Sequence, residues 1–216
     1  MSNNDVIRML RKIGFSKQTF TETILVVYFN GKVVASPTGF LLRSSSLYAR
    51  IYKGSRLYSI FEHVPESILI CIPSNSLLFY YSILRREKLV FRKLGNYYTL
   101  KGCSIDIPCS LLKTRNRSLY RELYLKPEAI VINEPYPRGY RRVDYAVVEA
   151  LVYYTKIPYV SIEEAENYVK ALEYVRWAVY RSTRNNKYRR IIDEIVTGAR
   201  EVLEKRLSRK ASLGRK

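Results

Sequence analysis

The sequence predicts an α+β protein in which a small antiparallel β-barrel is followed by three helices. Short apolar, β-branched or aromatic runs alternate with Gly, Asn, Pro and Ser up to about residue 133, a spacing typical of such barrels. Beyond that point, apolar residues recur at helical spacing. The predicted organisation is a lead-in at 1–17, the barrel at 18–133, a helical subdomain at 134–208 and a frayed basic tail at 209–216.

The first part of the barrel reads as a three-stranded meander. The lead-in carries a short amphipathic pattern and is either a helix or a disordered segment. Asn30-Gly31 is the strongest hairpin signal in the chain. Pro37 lies inside the second strand and therefore marks an edge, a bulge or a contact with something other than a strand. The three predicted strands are Phe20–Phe29, Val33–Leu42 and Leu47–Tyr52.

The middle of the chain contains the only segment that resembles a membrane span. Ser67–Leu84 is uncharged, but Pro73-Ser74-Asn75-Ser76 would break a helix at its centre. We predict strand, turn and helix here and no membrane partner, although Leu77–Leu84 also fits a strand. The other predicted strands are Lys88–Arg92, Tyr97–Ile107 and Ser118–Lys126, with a basic loop at Lys113–Arg117.

Three amphipathic helices are predicted after a break at Pro135 and Pro137. The first covers Tyr140–Lys156, and Pro158 ends it. Ser161-Ile162-Glu163-Glu164 is a capping box that opens the second helix. Asn185-Asn186 separates the second helix from the third.

The charge of the chain indicates an anionic partner. Lys and Arg number 38 against 19 Asp and Glu, a net charge of +19. Nucleic acid, a membrane surface and a phosphorylated small molecule all fit this sign. In the last third, Trp177, Tyr180 and Tyr188 lie between cations, which suits nucleic acid, but the same positions suit core packing. The sequence contains no recognisable nucleic-acid-binding motif.

The three cysteines and the composition bear on the protein's environment. Cys71, Cys103 and Cys109 are an odd number without a signal-like N-terminus, so we expect buried thiols and a cytoplasmic protein rather than a disulfide framework. A zinc site is disfavoured because His63 is the only histidine. Twenty Tyr, a single Gln and many charges resemble proteins from hot environments.

The turn after the third strand is the best candidate for a ligand site. Lys53-Gly54-Ser55-Arg56 lies between a strand and a predicted helix, so backbone amides, a hydroxyl and two cations converge there. This combination suits a phosphate group. The alternative is an ordinary strand-to-helix turn in which Ser55 is the N-cap and the cations are solvated.

Two segments resemble the archaeal family called domain of unknown function 447, whose members adopt the FMN-binding split-barrel fold. The first runs from Thr23 through Ala35-Ser36-Pro37-Thr38-Gly39 to Tyr52-Lys53-Gly54-Ser55-Arg56-Leu57-Tyr58. The second runs from Tyr140-Arg141-Arg142-Val143 to Thr155-Lys156. With the stretches between and beside them, the resemblance covers about 20–207.

The resemblance implies a homodimer that binds FMN at its interface, with the helices packed on the barrel. Lys53, Gly54, Ser55 and Arg56 would surround the FMN phosphate, and Tyr58 belongs to the same motif. Pro37, Thr38 and Gly39 would lie along the isoalloxazine, and Arg142 would approach the ligand. A flavin-dependent oxidoreductase of unknown substrate follows as the expected function, since flavin chemistry needs no catalytic acid or base from the protein.

Some positions depart from the family pattern. Leu57 replaces a usual Thr, Arg141 a usual Asn, Asn75-Ser76 an Asp-Pro pair and Lys156 an Arg. Two other hypotheses therefore stay open: a basic nucleic-acid-binding protein on the same scaffold, and a relative without a cofactor. The residues indicate no catalytic constellation.

Overall fold

The computed structural model describes residues 3–134 and 142–213, which form two compact units that divide at Pro137/Arg138. The first unit contains three helices and nine strands. In chain order they are α1 (Asn3–Lys12), β1 (Thr21–Phe29), β2 (Lys32–Arg43), β3 (Ser46–Tyr52), α2 (Arg56–Ile60), β4 (Ser67–Pro73), α3 (Leu77–Leu84), β5 (Phe91–Leu94), β6 (Tyr97–Leu100), β7 (Cys103–Asn116), β8 (Tyr120–Pro127) and β9 (Val131–Ile132).

Six antiparallel strands close into a barrel in the order β1-β2-β3-β8-β7-β4, because β4 pairs with both β7 and β1. The short β9 adds to β7 outside this ring. Alternate residues point inward and form one apolar core, as period-2 patterning requires. The fold class predicted from the sequence, an antiparallel barrel followed by helices, is confirmed.

The β1–β2 hairpin forms as its turn sequence predicts. Asn30 and Gly31 have φ values of 48° and 73°, as a type I′ turn requires at both central residues. The closing pair is Phe29↔Lys32, which sets the register of the whole ladder. This register places Leu25, Val27 and Phe40 in the core.

The N-terminal segment is a helix rather than a disordered lead-in. Val6, Ile7 and Leu10 of α1 are buried in the barrel core, at the spacing of one helical face. The sequence left these two alternatives open. The segment is helical because its apolar face covers apolar surface of the barrel.

A disulfide joins Cys71 of β4 to Cys103 of β7, which corrects the expectation of three free thiols. The two strands are hydrogen-bonded neighbours, so their cysteines meet although they lie 32 residues apart in sequence. Cys109 remains free and buried, and burial raises the pKa of its thiol. With their sulfurs bonded to each other, Cys71 and Cys103 are not available as metal ligands.

Three strand predictions were wrong in detail. Lys88–Arg92 was predicted as a strand, but Arg86–Lys88 forms a short 3₁₀ helix and β5 begins only at Phe91. Lys113–Arg117 was predicted as a loop, but β7 continues to Asn116 and pairs with β8 there. Lys113, Arg115 and Asn116 are exposed there, so their polar side chains do not interrupt the strand. Tyr97–Ile107 was predicted as one strand, whereas a turn at Gly102, with φ of 96°, separates β6 from β7.

The second unit consists of three helices: α4 (Arg142–Lys156), α5 (Ile162–Ser182) and α6 (Asn186–Leu213). The capping box is confirmed, since the Ser161 hydroxyl accepts from the Glu164 N–H at 3.1 Å. Helix α6 extends beyond the predicted end at 208. Within the described residues, no helix is both long and apolar enough to cross a membrane.

Candidate functional site

The barrel opens between β2 and β3. These neighbours pair only at Leu41↔Tyr48, Leu42↔Leu47 and Arg43↔Ser46, and then diverge. From residue 32 to residue 40, β2 pairs with β1 alone. Helix α2 contacts both diverging strands, and α3 contacts β2. We call the space between the diverging parts of β2 and β3 the split.

Pro37 lies on the edge of β2 that faces the split. Hydrogen-bonded and non-hydrogen-bonded pairs alternate along an antiparallel ladder, beginning with the hydrogen-bonded pair that closes a two-residue hairpin. Counting from Phe29↔Lys32 makes Ile24↔Pro37 a non-hydrogen-bonded pair. The proline nitrogen therefore points away from β1, where its missing proton costs no ladder bond. The edge interpretation of Pro37 is the one that the structure adopts.

The backbone of Pro37 and Gly39 is directed into the split. By the same alternation, the Pro37 carbonyl and the Gly39 N–H and carbonyl face away from β1. A side chain at Gly39 would lie 3.1 Å from Glu22 Oε1 and 3.3 Å from Phe20 Cδ1, so glycine leaves room for these two side chains beside β2. Thr38 is buried instead, and its carbonyl accepts from the Thr23 hydroxyl at 2.8 Å.

The Lys53-Gly54-Ser55-Arg56 turn connects β3 to α2. Gly54 has a φ of 86°, which favours glycine. The Ser55 hydroxyl donates to the Tyr52 carbonyl at 2.8 Å and accepts from the Tyr58 N–H at 3.3 Å. Ser55 is therefore the N-cap of α2, as the alternative interpretation had it, and its only hydroxyl proton is already in use. Lys53, Gly54 and Arg56 are exposed.

Two arginines interact electrostatically beside this turn, and neither is paired with a carboxylate among the described residues. Arg86 follows α3, and its Nε donates to the Ser82 carbonyl at 3.0 Å. Partial burial lowers the pKa of Arg86, and the positive charge of Arg56 lowers it further. Within 3–134 and 142–213, neither guanidinium forms an ion pair. Two like charges close to each other without a counter-ion favour binding of an anion.

Helix α2 is held in place by a buried cation. The side chain of Arg121 is 4% exposed. Its Nη1 donates to the Tyr58 carbonyl at 2.6 Å, and its Nε donates to Asn116 Oδ1 at 2.7 Å. The guanidinium also lies 4.5 Å from the centre of the half-buried Tyr58 ring. Arg121 of β8 thus fixes the turn by binding the carbonyl and the ring of Tyr58.

The buried position of Leu57 explains why this chain lacks the Thr that is usual in the family pattern. Its side chain is 2% exposed and belongs to the barrel core. A hydroxyl at this position would be directed into the barrel core unless α2 shifted. The exposed side chains of the turn that could meet an anion are therefore the cations Lys53 and Arg56.

The predicted site residues are divided between the two units, and all but Arg142 lie in the first. Arg142 is exposed at the start of α4, in the second unit. Sequence reasoning missed Arg86 and Arg121. Nothing in the local pattern separates Arg86 from Arg85 or Lys88. Arg121 is a charged residue on a strand beside the charged Glu122, and only its tertiary contacts show that it is buried.

Comparisons with known proteins bear on the fold. Neither a protein-family model nor a curated protein matches the chain. Among solved structures, an FMN-bound protein from Methanosarcina mazei of domain of unknown function 447 matches with a TM-score of 0.70 and 17% identity, over 88% of this chain and 99% of that chain. The flavin reductase PheA2 matches at 0.47 and 17% identity, over 59% and 88%. A flavoredoxin from Methanosarcina acetivorans matches at 0.44 and 16% identity, over 55% and 72%.

The first of these likenesses covers both the barrel and the helices and includes nearly the whole of the related chain. The resemblance seen in the sequence motifs is thereby confirmed in the fold. This chain has the split-barrel fold of the Methanosarcina mazei protein of domain of unknown function 447.

Proposed function

We propose that this chain is a flavoprotein that binds FMN in the split. The observation that carries the proposal is the likeness to an FMN-bound structure over almost the full length of both chains. Two features of this chain fit the same ligand: the backbone edge at Pro37 and Gly39, and the unneutralised Arg56 and Arg86. The backbone edge suits the ring system of the ligand, and the two arginines suit its phosphate.

The edge of β2 suits the isoalloxazine. The Gly39 N–H is a donor and the Pro37 carbonyl is an acceptor, and both can form hydrogen bonds with the alternating ring nitrogens and carbonyls of a flavin. Pro37 and Gly39 present little side-chain bulk, so a flat ring can approach the backbone. When bound, FMN supplies hydride and electron transfer, and the protein binds, orients and shields it.

The two arginines suit the phosphate. A guanidinium donates two parallel N–H bonds to phosphate oxygens, and each charge-assisted bond contributes about 1.5–3 kcal/mol. Arg56 lies on α2, which Arg121 holds to the barrel wall, so the cation is presented from a fixed element. Lys53 adds a third charge at the turn. These contacts offset the absence of a hydroxyl at Leu57 and the use of the Ser55 proton within the cap.

Binding can be tested by titrating the purified full chain with FMN and, separately, with riboflavin, which lacks the phosphate. We expect Arg56→Ala and Arg86→Ala each to weaken FMN binding about 10-fold and to leave riboflavin binding unchanged. Arg11→Ala, an exposed cation on α1, is the matched control. If riboflavin binding fell equally, the phosphate assignment would be wrong. If the wild-type chain bound neither flavin at millimolar concentration, the relative without a cofactor would be the correct hypothesis.

We further infer that the protein is a homodimeric flavin-dependent oxidoreductase. A dimer would place a second chain over the split, which is open in one chain, and would exclude water from the ring. Light scattering across a dilution series tests the dimer. Anaerobic addition of NADH or NADPH to the FMN-loaded protein tests the activity through loss of flavin absorbance. A monomeric protein, or flavin that stays oxidised with both donors, would contradict these two inferences.

A further inference from the structure

The strongest unexplained surface lies on α5, in the second unit. Lys170, Tyr174, Trp177 and Arg181 follow one another at intervals of three or four residues, so they share one face of the helix. All four are exposed, and the exposed Arg184 follows the helix end. We call these five residues the α5 surface.

Its centre is an exposed aromatic pair. Tyr174 is 66% exposed and Trp177 is 54% exposed. Their ring centroids lie 5.6 Å apart with planes 30° from parallel, so they present a nearly continuous apolar face to solvent. The sequence alone suggested core packing for the aromatic residues near here. That holds for Tyr188, which is 4% exposed, but it is wrong for Trp177.

The cations of the α5 surface have no structural partner. Among the described residues, Lys170, Arg181 and Arg184 form no ion pair. Their neighbour Arg176 is different, since its Nε donates to Asp193 at 2.6 Å. Arg189 is also committed, because it donates to the Thr183 and Tyr180 carbonyls at 3.2 and 3.3 Å. The unpaired cations are therefore free to meet an external anion.

A shallow pocket of about 320 Å³ continues the surface at the C-terminal end of α5. Arg181, Arg184 and Arg189 line it together with Tyr180, Ser182 and Thr183. The Tyr180 and Ser182 hydroxyls already donate to Asp193 and to the Val179 carbonyl, so Arg181 and Arg184 are the main donors left for the oxygens of a phosphate. No carboxylate lines it. Glu163 and Glu166 lie at the opposite end of α5 and bound the surface there.

We propose that the α5 surface binds single-stranded nucleic acid. Exposed aromatic rings stack on unpaired bases, and cations beside them hold the phosphates. From Lys170 to Arg181 the surface extends about 16 Å along the helix, enough for about four stacked nucleotides at about 3.4 Å each. A duplex is disfavoured because its base faces are already stacked on each other.

Other occupants fit less well. A second copy of this chain would bring Lys170, Arg181 and Arg184 against a like-charged surface. A membrane surface would call for a broad apolar helix face beside the cations, and on the α5 surface only Tyr174 and Trp177 could contribute to one. Charge and stacking together therefore favour a polyanion with aromatic bases.

Trp177 is the only tryptophan in the chain and reports directly on the surface. We would titrate the full chain with fluorescently labelled oligothymidylate and oligouridylate and follow both the label and the tryptophan emission. Stacking should quench that emission. Trp177→Ala and Tyr174→Ala should each weaken binding about 10-fold. Tyr159→Ala, which removes a 73% exposed tyrosine elsewhere in the same unit, should leave it unchanged.

Salt dependence separates the cations from the rings. Arg181→Ala and Arg184→Ala should each reduce the salt slope of binding by about one, whereas Lys205→Ala should not. Circular dichroism checks that every variant keeps its helices. Equal effects of target and control variants, equal binding of duplex, binding to anionic lipid vesicles instead, or dimer loss caused by Trp177→Ala would each overturn the proposal. FMN titration of the same variants should be unchanged, which keeps this test independent of the proposed flavin site.

Discussion

The two units use their arginines differently. In the barrel, Arg121 is buried and joins β7, β8 and α2 through short bonds, and a disulfide links two neighbouring strands. In the helical unit, Arg176 pairs with Asp193 while about two fifths of each side chain stays exposed. Buried bonds fix atoms more firmly than exposed ones. The barrel is thus the unit suited to hold a ligand in one geometry, whereas the helices display charge.

The disulfide gives the largest expected difference between the units. Crosslinking Cys71 to Cys103 closes a loop of about 32 residues, which stabilises a domain by about 4 kcal/mol in the chain-entropy model. We expect the double substitution Cys71→Ala/Cys103→Ala to lower barrel stability by that order. Hydrogen exchange measures it unit by unit. Equal loss of protection in α4–α6 would mean that the two units unfold together.

The second test of the difference between the units is the substitution Arg121→Met. The variant leaves the Tyr58 carbonyl and Asn116 Oδ1 without their charged donor, so we expect a loss of about 3 kcal/mol in chemical denaturation. Arg56→Met should change the free energy of unfolding by less than about 0.5 kcal/mol, because Arg56 has no such bonds. A large loss in Arg56→Met would show that this cation supports the fold rather than a ligand.

In the helical unit, Arg206 is the closest counterpart of Arg121. Its guanidinium donates to the Ile157 and Val160 carbonyls in the α4–α5 connection. It is only half-buried, so Arg206→Ala should cost less than Arg121→Met, about 1–1.5 kcal/mol by thermal denaturation. Its exposed neighbour Lys205→Ala is the control. A loss as large as that of Arg121→Met would remove the contrast between the units.

The smallest expected effect is a pH dependence in the barrel. A hydrogen bond from Tyr97 to Glu128 at 2.5 Å, with some burial, raises the pKa of Tyr97 to about 12. The unfolded chain loses this proton near its ordinary pKa of about 10. The contribution of Tyr97 to stability is therefore complete below about pH 10 and is lost as pH rises toward 12. Comparing Tyr97→Phe with the wild type across this range should show less than about 1 kcal/mol.

Sequence reasoning reached the barrel fold because its signals are local. Asn30-Gly31 determines a turn, and alternation beside it determines a register. The capping box at Ser161 is local in the same way. The disulfide and the Arg56–Arg86 approach join residues about 30 apart, so they depend on strand order and helix packing that no window of sequence contains.

The candidate site was predicted in part for the same reason. The Lys53–Arg56 motif is contiguous and was recognised, but the commitment of the Ser55 proton to Tyr52 becomes visible only with coordinates. Charge counting suggested nucleic acid in the last third of the chain but did not separate the exposed Trp177 from the buried Tyr188. The α5 surface differs from other basic stretches of the chain because its cations form no ion pair among the described residues, and only the structure shows this.

The open edge of β2 also bears on how the protein behaves before any ligand arrives. A row of unpaired backbone groups is a template on which another chain can add a strand and begin aggregation. Pro37 has no proton to donate and interrupts this row in its middle, as the ladder register shows. The residue that we assign to the flavin ring therefore also protects newly synthesised, cofactor-free chains from joining edge to edge.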